Sequence, residues 1–348
     1  MDNSDMRDRW YGIDYLRAAM SIAVVAWHLR IFGTSELFDL NGYPTHHIQF
    51  SDIINFNLLL LAVPIFFLIS IFLQVQKWMN NSSNFRSRIE RLTYMYIFWT
   101  GIFLIVCKIE SLLPIVWPDT GIKAIFFVIS GGGSWFYFLF SLLLLTVLSN
   151  VSMRLTLIQQ KILVLIFLML LWIFPAIVAC YNTFKFLTAF WNPFNFFVYI
   201  YISQLIYLWI GNNPDITHSM TFKKTLILVF LMFIISASFE WIWFRHVNHY
   251  NYNGYAFPSY TRVSVVLGAT FLFLLSFTIR KPPGNIIKLL SDYSFGLYCL
   301  HIFVGFYYYR LKSNINLPMN QFFDFVLILV VSLSLSIILR RVFLKGLI

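Results

Sequence analysis

The sequence predicts an all-α fold: a polytopic membrane helical bundle of about ten transmembrane helices, all within a single domain, 1–348. Three observations predict it. Hydrophobic residues make up 59% of the 348 positions and charged residues only 11%, and the mean hydropathy is +0.75. A soluble domain carries roughly 25% charged residues, so this chain has too little polar surface to face water. The apolar residues also fall into runs near the length of about 20 that crosses a hydrocarbon core as a helix. None of these runs alternates with the two-residue period of a barrel strand, so backbone hydrogen bonds must close within helices.

The runs, in order, are 11–32, 53–75, 92–112, 134–151, 162–180, 194–211, 225–244, 263–279, 291–310 and 321–340. The first is apolar apart from Asp14, Arg17 and His28. The second has no charged residue, and the third starts after the basic stretch 86–91. The fourth, fifth and sixth are likewise uncharged, and the sixth stops at Asn212, Asn213 and Pro214. One acid, Glu240, lies in the seventh, and the eighth ends before Arg280, Lys281 and two prolines. The ninth holds His301, and the tenth runs into Arg340 and Arg341. No small-residue cleavage site follows the first run, which is therefore read as a retained span.

The net charge of +11 does not point to nucleic acid, because the lysines and arginines cluster in short loops, where membrane topology selects them. With the N-terminus inside, the inner loops hold the larger share, including Arg86, Arg88, Arg91, Lys223 and Lys224. Both termini are therefore expected in the cytoplasm. Cys107, Cys180 and Cys299 stand far apart in or beside apolar runs and read as core residues. His246 and His249 lie three apart but have no third ligand nearby, so no metal is expected.

The first run is the anomaly. At 100° per residue, the eleven steps from Arg17 to His28 leave the two side chains only about 20° apart in direction and roughly 16 Å apart along the axis. Asp14 and Ser21 lie one turn to either side of Arg17. These four residues form one stripe, which must face protein or water, because ionisable groups at this depth cost a few kcal/mol each unless paired or hydrated. A purely structural Asp14–Arg17 pair and a functional channel wall both satisfy that requirement.

Several segments together carry a resemblance. Residues 9–28, "RWYGIDYLRAAMSIAVVAWH", are similar to the first-helix signature of the acyltransferase-3 family of bacterial membrane acyltransferases, with an acid three before an arginine and a histidine eleven after it. "VPIFFLISIFL" (63–73) resembles the family's second helix, with Ile71 where glycine is usual. "RIER" (88–91) matches its paired arginines, "SWFYF" (134–138) its Trp-Phe motif around Trp135, and "SDYSFGLYCLH" (291–301) its late signature ending in Leu-His. The resemblance implies a single integral-membrane domain in the bacterial cytoplasmic (inner) membrane. It also implies transfer of an acyl group, usually acetyl, from cytoplasmic acyl-CoA to a hydroxyl of a cell-envelope glycan or lipid-linked sugar, with membrane lipids around the bundle.

On that reading each residue takes an expected role. Arg88 and Arg91, three apart at the inner end of the third run, can present forked guanidiniums to the phosphates of acyl-CoA; the positive-inside bias alone also accounts for them. Arg17, held by Asp14, would contact a phosphate or the pantetheine arm. His28 is the catalytic candidate, either as a general base for the attacking hydroxyl or as a covalent acyl carrier. His301, with Tyr298 one turn before it, is either a second polar wall that orients His28 or the acceptor, or a packing hydrogen bond. Trp135 is a supporting residue. Glu240 is expected to pair with Arg245 in preference to His28. A rival class is a transporter or flippase of lipid-linked sugar, since buried charges also line transport paths, although no duplicated half is apparent.

Overall fold

The computed structural model describes residues 10–32, 49–80, 85–110, 136–180, 195–211, 213–246, 260, 262–315 and 320–342. Among them every regular element is helical: α1 (Tyr11–Leu29), α2 (Phe50–Asn57), α3 (Ala62–Met79), α4 (Phe85–Ile109), α5 (Tyr137–Ser152), α6 (Leu157–Cys180), α7 (Val198–Ile206), α8 (Met220–His246), α9 (Val263–Ser276), α10 (Asn285–Asp292), α11 (Ser294–Asn314) and α12 (Gln321–Val342). Each of the ten apolar runs coincides with one of these helices or a joined pair.

Two runs are broken. The second is α2 and α3 joined by a 3-10 turn, Leu59–Leu61; Pro64 sits in the first turn of α3, where its missing N–H costs no hydrogen bond. The ninth is α10 and α11, bent by 71° at Tyr293. The sixth widens into a π-helical turn, Tyr207–Gly211, before the chain turns at Pro214.

Among the described residues, four helical stretches are, taken alone, long and apolar enough to cross a bilayer: Phe50–Met79, Phe85–Ile109, Met220–Trp243 and Gln321–Arg341. The bent α10–α11 pair makes a fifth. The 19-residue α1 is not in that set, because Asp14, Arg17 and His28 dilute its apolar content. It compensates by position, packing against α3, α9, α10, α11 and α12 at the centre of the bundle. The window within Phe50–Met79 is 78% buried and that within Met220–Trp243 only 11%, so α3 joins α1 inside while α8 presents its surface to lipid.

Lipid tails are as apolar as leucine, so close packing and interhelical hydrogen bonds must hold such a bundle together. Gly12 supplies the first: a Cβ there would run into the backbone carbonyl of Ser276, so only glycine lets α1 approach the end of α9 this closely. Gln204 of α7 supplies the second, donating to Ser152 Oγ (2.7 Å) and the Ser149 carbonyl (3.0 Å) of α5. Ser203 bonds the Leu68 carbonyl of α3 at 3.2 Å. Lys312 of α11 reaches both carboxylate oxygens of Asp324 on α12 at 2.6 Å, clamping that hairpin.

Candidate functional site

Asp14, Arg17 and Ser21 of the α1 stripe face inward, whereas His28 at its far end is exposed. Asp14 and Ser21 are buried; Ser291 of α10 donates to Asp14 Oδ1 at 3.1 Å, and Ser21 Oγ donates to the Ala18 carbonyl at 2.9 Å. The charge of Arg17 is flanked by Asp14 and Asp292. The acid on α10 thus joins the expected pair and makes a three-member cluster that ties α1 to the bend of the ninth span. Arg340 closes it from α12, donating to the Asp292 carbonyl at 3.0 Å and lying over the Tyr293 ring at 5.0 Å.

Arg17 opens onto a cavity of about 530 Å³. Its mouth lies at the face of the bundle where α1 begins and α12 ends, and carries Arg88, Arg91, Lys77 and Arg340. Lys77 at the mouth and Phe66 at depth both lie on α3, and eleven residues of helix make the cavity about 16 Å deep. Arg88 is held in place, with Nη2 donating to the Ser70 carbonyl (3.1 Å) and to Ser70 Oγ (2.8 Å), while Arg91 is exposed at the rim. Residues called from three separate segments, Arg17, Arg88, Arg91 and Tyr298, therefore line one space.

The deep end closes on aromatic rings. Tyr298 lines the cavity and packs against Phe138 (5.0 Å between centroids) and Phe136 (6.3 Å). On its other side its ring lies 6.3 Å from His301, and the His301 ring lies 5.1 Å from that of His28. The expected channel from Arg17 to His28 is thus interrupted: among the described residues that line the cavity, the innermost polar group is Tyr298, one ring short of the histidines. His301 is buried; its Nδ1 is 2.8 Å from the Leu297 carbonyl. A carbonyl only accepts, so Nδ1 carries the proton and Nε2 is a bare acceptor. Nε2 is buried without a hydrogen-bond partner among the described residues. His28, in the last turn of α1, keeps an exposed side.

Glu240 is held by residues that the sequence did not single out. Its carboxylate accepts from the Ser264 backbone N–H (2.8 Å) and Ser264 Oγ and lies 3.6 Å from Arg262 Nη1; the side chain of Arg245, its expected partner, lies outside the described residues. Arg262 also donates to the Phe56 carbonyl, while Trp241 and Ser264 engage Asn57. A cation immediately before a helix start opposes the helix dipole; that placement of Arg262 was the available sign that it needed an acid. Trp135 and His249 lie outside the described residues.

The family model Acyl_transf_3, described as an acyltransferase domain, matches residues 10–341. No curated protein and no solved structure matches the chain. A match over nearly the whole length, running from the start of the Asp14–His28 helix to the end of the last span, makes the chain a member of the acyltransferase-3 family of membrane acyltransferases.

Proposed function

We propose that the chain is an O-acyltransferase that takes an acyl group, by preference acetyl, from acyl-CoA on the cytoplasmic side of the inner membrane and places it on a hydroxyl of an envelope glycan or lipid-linked sugar. The observation that carries this reading is the single cavity joining Arg17, Arg88 and Arg91 to Tyr298 beside the His28–His301 pair. The arginines at its mouth suit phosphates. Its depth of about 16 Å suits an extended arm that carries a thioester to the aromatic end. The excess of Lys and Arg in loops on that face supports a cytoplasmic mouth and cytoplasmic termini.

In the direct route the acceptor oxygen attacks the thioester carbonyl as His28 takes its proton, the C–S bond breaks, and the imidazolium gives that proton to the leaving thiolate, releasing free CoA. In the carrier route a ring nitrogen of His28 attacks the thioester and displaces the thiolate; the acceptor oxygen then attacks the acyl-imidazole, the C–N bond breaks, and the acceptor's proton ends on the released thiolate by way of the imidazole. His301, its tautomer set by Leu297, packs its ring against that of His28 and so limits the orientations His28 can take. Tyr298 must swing aside for the thioester to pass. Purified protein with labelled acetyl-CoA and lipid-linked glycan tests the reading. His28→Ala is expected to lose transfer by about a hundredfold or more while inserting and accumulating normally, and transfer at the native rate would reject it.

A further inference from the structure

A second cavity, of about 250 Å³, adjoins the first at the same face, and the two share Lys77, Arg88 and Arg91. Its walls differ in kind. Trp78 and Phe85 give flat aromatic surface, Met153 a soft apolar one, and Gln74 and Asn150 add amides. Gln74 is only 7% exposed; its Nε2 is spent on the Thr146 carbonyl at 3.2 Å. That bond fixes the amide so that Oε1 remains a buried acceptor with no hydrogen-bond partner among the described residues. At the shared rim, Arg88 Nε is a buried donor in the same condition, although its Nη2 is committed to Ser70.

Stacking surface, a buried acceptor left unpartnered on a lining residue, a second amide and a cationic rim together suit a flat nitrogen heterocycle that bears an exocyclic amino group and is attached to phosphate. We infer that this smaller cavity holds the amino-purine base of a nucleotide-bearing donor, stacked on Trp78 with its amino group at Gln74. The phosphates then lie on Lys77, Arg88 and Arg91, and the acyl arm enters the larger cavity. This rests on the reading that the donor is acyl-CoA and adds that the base, not only the phosphates, is recognised.

The test uses the purified full chain in detergent and compares acetyl-CoA with acetyl-4′-phosphopantetheine, which keeps the thioester arm and lacks the nucleotide. Native protein is expected to show a KM at least about tenfold higher for the truncated donor, with kcat little changed. Trp78→Ala and Asn150→Ala are expected to raise KM for acetyl-CoA and leave that for the truncated donor unchanged; Trp78→Phe, which keeps a ring, restores it. Adenosine 3′,5′-bisphosphate is expected to bind native protein in calorimetry and to bind Trp78→Ala about tenfold more weakly. Equal KM values for both donors in native protein, or variants that affect both donors alike, would overturn the base pocket while leaving acyl transfer intact. Turnover of neither donor would overturn the acyl-CoA reading and the base pocket together.

Discussion

A carboxylate removed from water inside a bilayer needs its counter-charge from the protein, and Glu240 finds it in Arg262, with Ser264 supplying two hydrogen bonds. Both partners are almost fully buried. Removing one charge strands the other, which costs about 3–5 kcal/mol, whereas removing both together costs far less. Glu240→Gln is therefore expected to lower the melting temperature of the purified protein markedly, and the double variant Glu240→Gln, Arg262→Met to recover much of the loss; thermal scans in detergent check both. The partner was not legible in the sequence, because Arg262 lies beyond a loop from Glu240 and no helical period links them. The Asp14, Arg17 and His28 stripe was legible, since a single helix fixes the direction of each side chain. The meeting of His28 with His301 lay between these cases: each residue could be picked out, but their contact depends on which helices pack together.

At the level of the helix, α1 carries an unusual polar load and is held by five neighbours. Its entry depends on Gly12, where α1 passes against the Ser276 carbonyl. Gly12→Ala is expected to push α1 away from α9 and destabilise the protein by about 1–3 kcal/mol, as overpacking does. The displacement also shifts Asp14 and Arg17, one turn further on, so donor KM should rise in protein that still folds. Melting curves and steady-state kinetics on the same preparation check this; unchanged values in both would show that the contact relaxes freely. The helix leaves its final turn through Arg30, whose backbone is left-handed (φ 50°), a conformation that costs a non-glycine residue about 1–2 kcal/mol. Apolar run length was enough to locate the long helices among the described residues. The breaks at Leu59–Leu61 and Tyr293 were not visible that way, because hydropathy is blind to backbone direction.

For the whole molecule, the end carrying Arg17, Arg88, Arg91 and Arg340 defines one face, and the loop-charge balance supports the proposal that this face is cytoplasmic. A reporter fused after residue 348, or placed in the turn near Pro214, is expected to read as cytoplasmic, and one placed near residue 318 as external. A single engineered cysteine at each point, labelled from outside intact cells, checks this independently. The cleft that enters from this face ends at Tyr298. Solvent ions in such a cleft carry the electrical potential of the inner solution down to that phenol ring, so the voltage across the bilayer does not fall evenly over its thickness. On the proposed orientation it falls over the roughly 14 Å of a core about 30 Å thick that the cleft leaves unpenetrated, where moving one elementary charge across the full drop costs about 2.3 kcal/mol per 100 mV. A proton that crosses that stretch outwards therefore does work against the membrane voltage.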